Sequence, residues 1–173
     1  MDKYANYLPE LKTTTLFQNL TDEEILSLLE AFQPEIFEIK KGDSMGSMDF
    51  DNFRMILKTS PAQEIQPRRF PFDMPKFGEP GMLMGEIPSF SEIHRFLDFK
   101  KRPPHKPKPL SFDMTIMEFS RESLTKFYSE SVSKAQGVFL RNMLGILAQK
   151  VTDVRQELFK IRDGRDIYAD IKE

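Results

Sequence analysis

VFLRNMLGILAQKVTDVRQELFKIR, residues 138–162, sets Leu140, Leu144, Leu147, Val151, Val154, Leu158 and Ile161 at alternating four- and three-residue spacing. That rhythm is the a/d repeat of a coiled coil, one narrow apolar stripe along a helix for a partner helix to cover. The spacing predicts a helix from about Val138 to Arg162 that pairs two copies of the chain in parallel. In such a pair Glu157 faces Arg162 of the second copy, an attraction, and Lys150 faces Arg155, a repulsion. Met143 and Ala148 widen the stripe, as expected where the helix also touches the body of its own chain. After Ile161 only a polar tail follows, Arg162 to Glu173.

Upstream of the seam the grain of the sequence changes twice. Thr21-Asp22-Glu23-Glu24 has the form of a capping box, and Ile25, Leu26, Leu28, Leu29 and Phe32 follow it. The Thr21 hydroxyl and Glu24 carboxylate can satisfy free amides of a first turn, so a helix is expected from about Asp22 to Ala31. Leu16 and Phe17 would staple its start to the core. From Pro34 the period becomes two. Ile36 to Ile39 reads as a strand closed by the turn Lys41-Gly42-Asp43. Phe53, Met55 and Leu57 alternate with Arg54 and Lys58 as a half-buried strand, and Leu110, Phe112, Met114 and Ile116 alternate again. Pro67 and Pro71 limit the segment from Gln63 to Met74 to edge strands. Gly78, Gly81 and Gly85 mark places where the backbone needs positive φ or a close approach. Ser120 caps a further helix with Leu124, Phe127 and Tyr128, and Gly137 reads as a bend before the seam.

This order predicts a mainly β fold with α: a double-stranded β-helix, or jelly-roll-like β-roll, between an N-terminal helix and a long C-terminal pairing helix. The expected division is a roll domain at 1–130 and a pairing helix with its tail at 131–173.

Composition narrows the function. A net charge of −2 gives no field to gather DNA or anionic membrane. Absence of cysteine removes disulfides, thiol nucleophiles and cysteine-held metal centres, and fits the cytoplasm. The first residues lack an apolar leader, and no run is long enough to span a bilayer. His94 and His105 have no ligand partners at metal spacing, and no nucleophile elbow, P-loop or EF-hand pattern is complete. A soluble, non-enzymatic protein is expected. The basic stretch Lys100 to Pro109 carries four prolines among its charges and few aromatics, which reads as a solvated extended loop in preference to a nucleic-acid arm.

Leu16-Phe17-Gln18-Asn19-Leu20-Thr21-Asp22-Glu23-Glu24, the Lys41-Gly42-Asp43 turn, Phe77-Gly78-Glu79-Pro80-Gly81 through Met84-Gly85-Glu86-Ile87, Asp113 to Leu124 and Arg141 to Lys150 occur in a set order. In that order they resemble the cyclic-nucleotide-binding sensor domain of catabolite-activator-type (Crp/Fnr) bacterial transcription regulators, over roughly Leu8 to Arg162. The resemblance implies a ligand cassette in which Gly85 and Glu86 hold a ribose hydroxyl and an arginine holds the cyclic phosphate. It offers Arg95 and Arg102 for that arginine. Phe96 and Leu97 follow the first, where the family has small polar residues. Pro103 and Pro104 follow the second and remove two amide donors. The cassette therefore reads as degenerate, for a cyclic nucleotide or another small anionic effector. Family members continue from the long helix into a helix-turn-helix, for which the tail is too short. The expectation is a sensor and homodimerisation domain without DNA binding of its own. The alternative is an interaction module that pairs with a full-length relative and antagonises it.

Overall fold

The computed structural model describes residues 2–44, 52–61, 78–85, 109–129 and 133–162; for residues 2, 128, 129 and 157–162 it describes the backbone alone. The elements are α1 (Asp2–Ala5), α2 (Leu8–Thr13), a 3-10 turn at Thr15–Phe17, α3 (Asp22–Phe32), β1 (Glu35–Ile39), β2 (Asn52–Ser60), β3 (Leu83–Met84), β4 (Asp113–Ser120), α4 (Arg121–Ser129) and α5 (Lys134–Arg162).

The local chemistry explains where the helices begin. Thr21 Oγ1 accepts from the Glu24 amide at 3.2 Å, and Glu24 Oε2 accepts from the Thr21 amide at 2.8 Å, completing the capping box read from the sequence. Gln33 ends α3 in the left-handed region, its N–H on the Leu29 carbonyl. Ser120 starts α4 as expected, its hydroxyl accepting from the Ser123 amide at 3.1 Å. The last helix starts four residues before the expected Val138, and Gly137 is helical, not a bend. A second capping box accounts for this. Ser133 Oγ accepts from the Gln136 amide, and the Gln136 side chain accepts from the Ser133 amide. The Ser-x-x-Gln signal was present at 133–136 and outweighs one glycine. Helices α1 and α2 had no counterpart in the sequence reading. They are short, and tertiary contact holds α1: the Tyr4 hydroxyl donates to the Pro34 carbonyl at 3.0 Å.

The strands form one antiparallel sheet in the order β1-β4-β2-β3. A bulge at Leu57 lies between the pairs Ile56↔Ile116 and Lys58↔Thr115. One sheet face, with Phe53, Met55, Leu57, Met117 and Phe119, joins the helices in the larger core. The other, with Ile39, Ile56, Met84, Met114 and Ile116, forms a separate core together with Leu110. Both faces are therefore covered. The Lys41-Gly42-Asp43 turn is stitched to the start of β4: Gly42 N–H donates to Leu110 O, Leu110 N–H to Asp43 O, and Lys41 N–H to Asp113 Oδ1 at 2.7 Å.

Phe32 is the hub of the larger core. Its ring lies 4.0 Å from Phe127, 5.0 Å from Phe139 and 5.8 Å from Phe119, centroid to centroid. Phe139 also meets Phe17 at 5.7 Å, which fixes α5 against the 3-10 turn. Asn142 Nδ2 adds hydrogen bonds to the carbonyls of Leu16 and Gln18. Phe139→Ala should lower unfolding free energy by about 3–5 kcal/mol in urea titration, the range for deleting a buried aromatic. Thr21→Ala, removing one cap, should cost about 1 kcal/mol.

Candidate effector pocket and pairing helix

Gly85 follows β3 directly and has φ +77°. A Cβ there would lie 2.8 Å from the Asn52 carbonyl oxygen, so the site needs glycine both for its conformation and for its close approach to β2. Gly78 and Gly81 also have positive φ, as the sequence reading anticipated. Met82 and Gly81 clamp β2, with Ile56 N–H donating to Met82 O at 3.0 Å and Gly81 N–H to Ile56 O at 2.7 Å. Strand β3 is thus seated on β2 by close backbone contact. Of the four expected ligand residues, Gly85 lies in this seat; Glu86, Arg95 and Arg102 lie outside the described residues, as does 100–108 of the basic stretch.

Beside Gly85 the sheet carries a polar cluster that the sequence reading missed. Arg54, paired in register with both Glu118 and Met84, forms an ion pair through its Nε with Glu118 Oε2. Asn52 Nδ2 donates to Glu118 Oε1 at 3.0 Å, and the guanidinium lies 5.7 Å from the Phe37 ring centroid. Only 14% and 16% of the two charged side chains is exposed. The alternation around Arg54 pointed to a solvent-facing polar residue. Burial of both sheet faces is what encloses it.

Two clefts lie elsewhere. One of about 410 Å³ separates the end of α3 from the start of α4, lined by Glu30, Gln33, Ser120, Ser123 and Lys126 among others. The other, about 150 Å³, includes Glu38, Lys40, Lys58 and Asp113. There the Lys40 ammonium bonds Glu38 at 2.7 Å, holding that carboxyl below its ordinary range, and the same bond raises Lys40 above its own. Both groups are exposed, so this is a solvated ion pair with little influence on stability. Neither cleft includes Gly85. Among the described residues no group of three potential ligands could hold a metal, and no helix is long and apolar enough to cross a membrane.

Helix α5 presents two different stripes. Ala135, Phe139, Met143 and Ile146 are buried in the chain's own core. Leu144, Val151 and Val154 are 64%, 66% and 60% exposed. Leu140 and Leu147 lie between the two, half-buried, and Leu147 packs against the larger core. The first half of the helix therefore lies on its own chain; from Leu144 onward part of the seam stands open. At the border, Lys150 Nζ donates to the Leu83 carbonyl at 3.0 Å, joining α5 to β3.

This chain is similar to solved structures. The Thermus thermophilus catabolite activator protein matches over 86% of this chain with 14% identity and a TM-score of 0.52, and the match spans 63% of that protein. The sensor domain of the transcriptional regulator DNR from Pseudomonas aeruginosa matches over 90% of this chain and 91% of its own, with 14% identity and a TM-score of 0.45. The N-terminal domain of a transcriptional regulator from Streptomyces coelicolor A3(2) matches over 86% and 94%, with 14% identity and a TM-score of 0.39. No protein-family model and no curated protein matches the sequence. At this identity the first likeness establishes the fold: the β-roll with flanking helices expected from the resemblance.

The Arg54–Glu118 pair has a distinct thermodynamic signature. Arg54→Met should cost about 3–5 kcal/mol, because it strands the enclosed carboxylate, whereas the double change Arg54→Met with Glu118→Met should recover most of the loss. Urea unfolding of both variants measures the difference, and a single variant as stable as wild type would mark the pair as surface-like.

Proposed function

We propose that this chain is the sensing and pairing part of a Crp/Fnr-type transcription regulator, acting as a homodimer through α5. The open stripe of α5 carries this reading. Leu144, Val151 and Val154 are exposed on a helix whose neighbouring stripe is already buried at home. Exposed apolar residues at coiled-coil spacing, on an element fixed rigidly by Phe139, suit a second identical helix. The fold shared with the catabolite activator protein supports the same assignment. In this reading a small anionic effector, a cyclic nucleotide among the candidates, binds beside Gly85 and Glu86 with Arg95 or Arg102. The bulky and proline neighbours of those arginines leave the cassette degenerate, so pairing is its better preserved half. DNA reading is not assigned to these residues, and the setting is the cytoplasm.

Sedimentation of the full chain should show a dimer at micromolar concentration. Leu144→Glu and Val151→Glu should each weaken it at least tenfold, about 1.4 kcal/mol, with circular dichroism unchanged. A monomeric wild type would overturn the pairing. Calorimetry with cyclic AMP and cyclic GMP tests the pocket separately; absence of heat with both would remove the nucleotide and leave the dimer standing. Co-purification of a longer relative in place of a second copy would favour the antagonist module.

A further inference from the structure

The bulge at Leu57 sets Lys58 opposite Thr115, and Thr115 also pairs in register with Glu38 on β1. Glu38, Thr115 and Lys58 therefore form one row across three strands, with their side chains on a common face. Tyr7 marks that face: it packs against the larger core, and the Lys58 ammonium lies 5.9 Å from its ring centroid. One row further on, Ser60 pairs with Asp113, and Lys40 follows the end of β1. All six residues line the cleft of about 150 Å³. At this end of the sheet the apolar core gives way to a polar grid.

The charges of the grid balance. Two ammonium groups, Lys40 and Lys58, share the cleft with two carboxylates, Glu38 and Asp113. The Glu38 carboxyl, lowered chiefly by its bond to Lys40, also feels the charges of Lys58 and Asp113. Part of the set is committed. Lys40 bonds Glu38 at 2.7 Å, and Asp113 Oδ1 accepts from the Lys41 amide at 2.7 Å. Among the described residues, the Lys58 ammonium, the second Asp113 oxygen and the Thr115 hydroxyl make no hydrogen bond. Thr115 is only 4% exposed and belongs to the cleft lining, so its hydroxyl draws its partner from what occupies the cleft.

These groups select by charge. A lone anion would meet two carboxylates, and a lone cation two ammoniums. A molecule carrying both charges close together satisfies the set: its carboxylate accepts from Lys58 and Thr115, and its ammonium donates to Asp113. Lys58 and Asp113 stand diagonally across the β2–β4 ladder, a separation of roughly 7–8 Å that one such molecule can bridge. Size narrows the class. A cavity of this volume takes a molecule the size of benzene, about six non-hydrogen atoms, as alanine has. We propose that this cleft binds a free α-amino acid with a short side chain. Neither the pairing of α5 nor the seat at Gly85 enters the assignment, which goes beyond the sensor reading and stands apart from it.

The test is titration of the full, isotope-labelled chain with L-alanine, followed by amide chemical shifts in NMR. Saturable shifts should gather at residues 38–41, 58–60 and 113–115. L-lactate, which lacks the ammonium, and isopropylamine, which lacks the carboxylate, should each bind at least about tenfold more weakly. Lys58→Gln should weaken alanine binding about tenfold. Asp113→Asn should do the same while keeping an oxygen for the Lys41 amide. Should Asp113→Asn fail to fold, Lys58→Gln decides alone, since Lys58 is exposed. Absence of saturable shifts overturns the proposal, as do shifts gathered at 78–85 instead of the cleft. Lactate or isopropylamine as strong as alanine, or wild-type affinity in Lys58→Gln, overturns it equally.

Discussion

The packing of Phe139 between Phe17 and Phe32 is the contact on which the arrangement depends. It joins the 3-10 turn, α3 and the long helix in one aromatic cluster that continues through Phe127 and Phe119 to the sheet. Because Phe139 is buried near the start of α5, the rotational setting of the whole helix is fixed there. At roughly 100° per residue, Leu144 and Val151 stand well over a quarter-turn from Phe139, so they cannot share the core-facing stripe of Phe139, Met143 and Ile146. Exposure of Leu144 and Val151 follows from where the first half is buried.

The sheet obeys a related constraint. With helices on one face and the second core on the other, its strands are enclosed more fully than simple alternation implies. The bulge at Leu57 shifts the pairing, so Met55, Ile56 and Leu57 are all buried without breaking the sheet. Enclosure also changes the character of Arg54. A guanidinium on a covered face needs a partner, and Glu118 supplies it from the adjacent strand, with Asn52 taking the second carboxylate oxygen.

Local rules were readable where a few neighbouring residues decide the outcome. The capping box at Thr21, the Ser120 cap, the turn glycine Gly42 and the positive φ of Gly85 all belong to that class. The heptad spacing likewise located the open stripe of α5. What the sequence reading missed depends on distant partners. Helix α1 is held by the carbonyl of Pro34, thirty positions from Tyr4. Arg54 reads as a surface residue until Glu118 and Phe37 are brought beside it. The early start of α5 differs: its Ser133 and Gln136 signal was local, and Gly137 was given too much weight. Of the expected pocket, only Gly85 lies within the described residues.

Beyond the aromatic cluster, helix α5 meets the sheet through Lys150 and the Leu83 carbonyl. A helix fixed at Phe139 and exposed at Leu144 needs further contacts to place its second half. Asn142 secures the first half, its bonds reaching the 3-10 turn beside the rigid aromatic cluster. Lys150 lies further along the helix, beyond that cluster, and reaches the two-residue strand instead. A tie to the rigid core would add stability alone. A tie to a short strand joins the exposed half of the helix to the backbone around Gly85, where close contact with Asn52 sets the position of the strand.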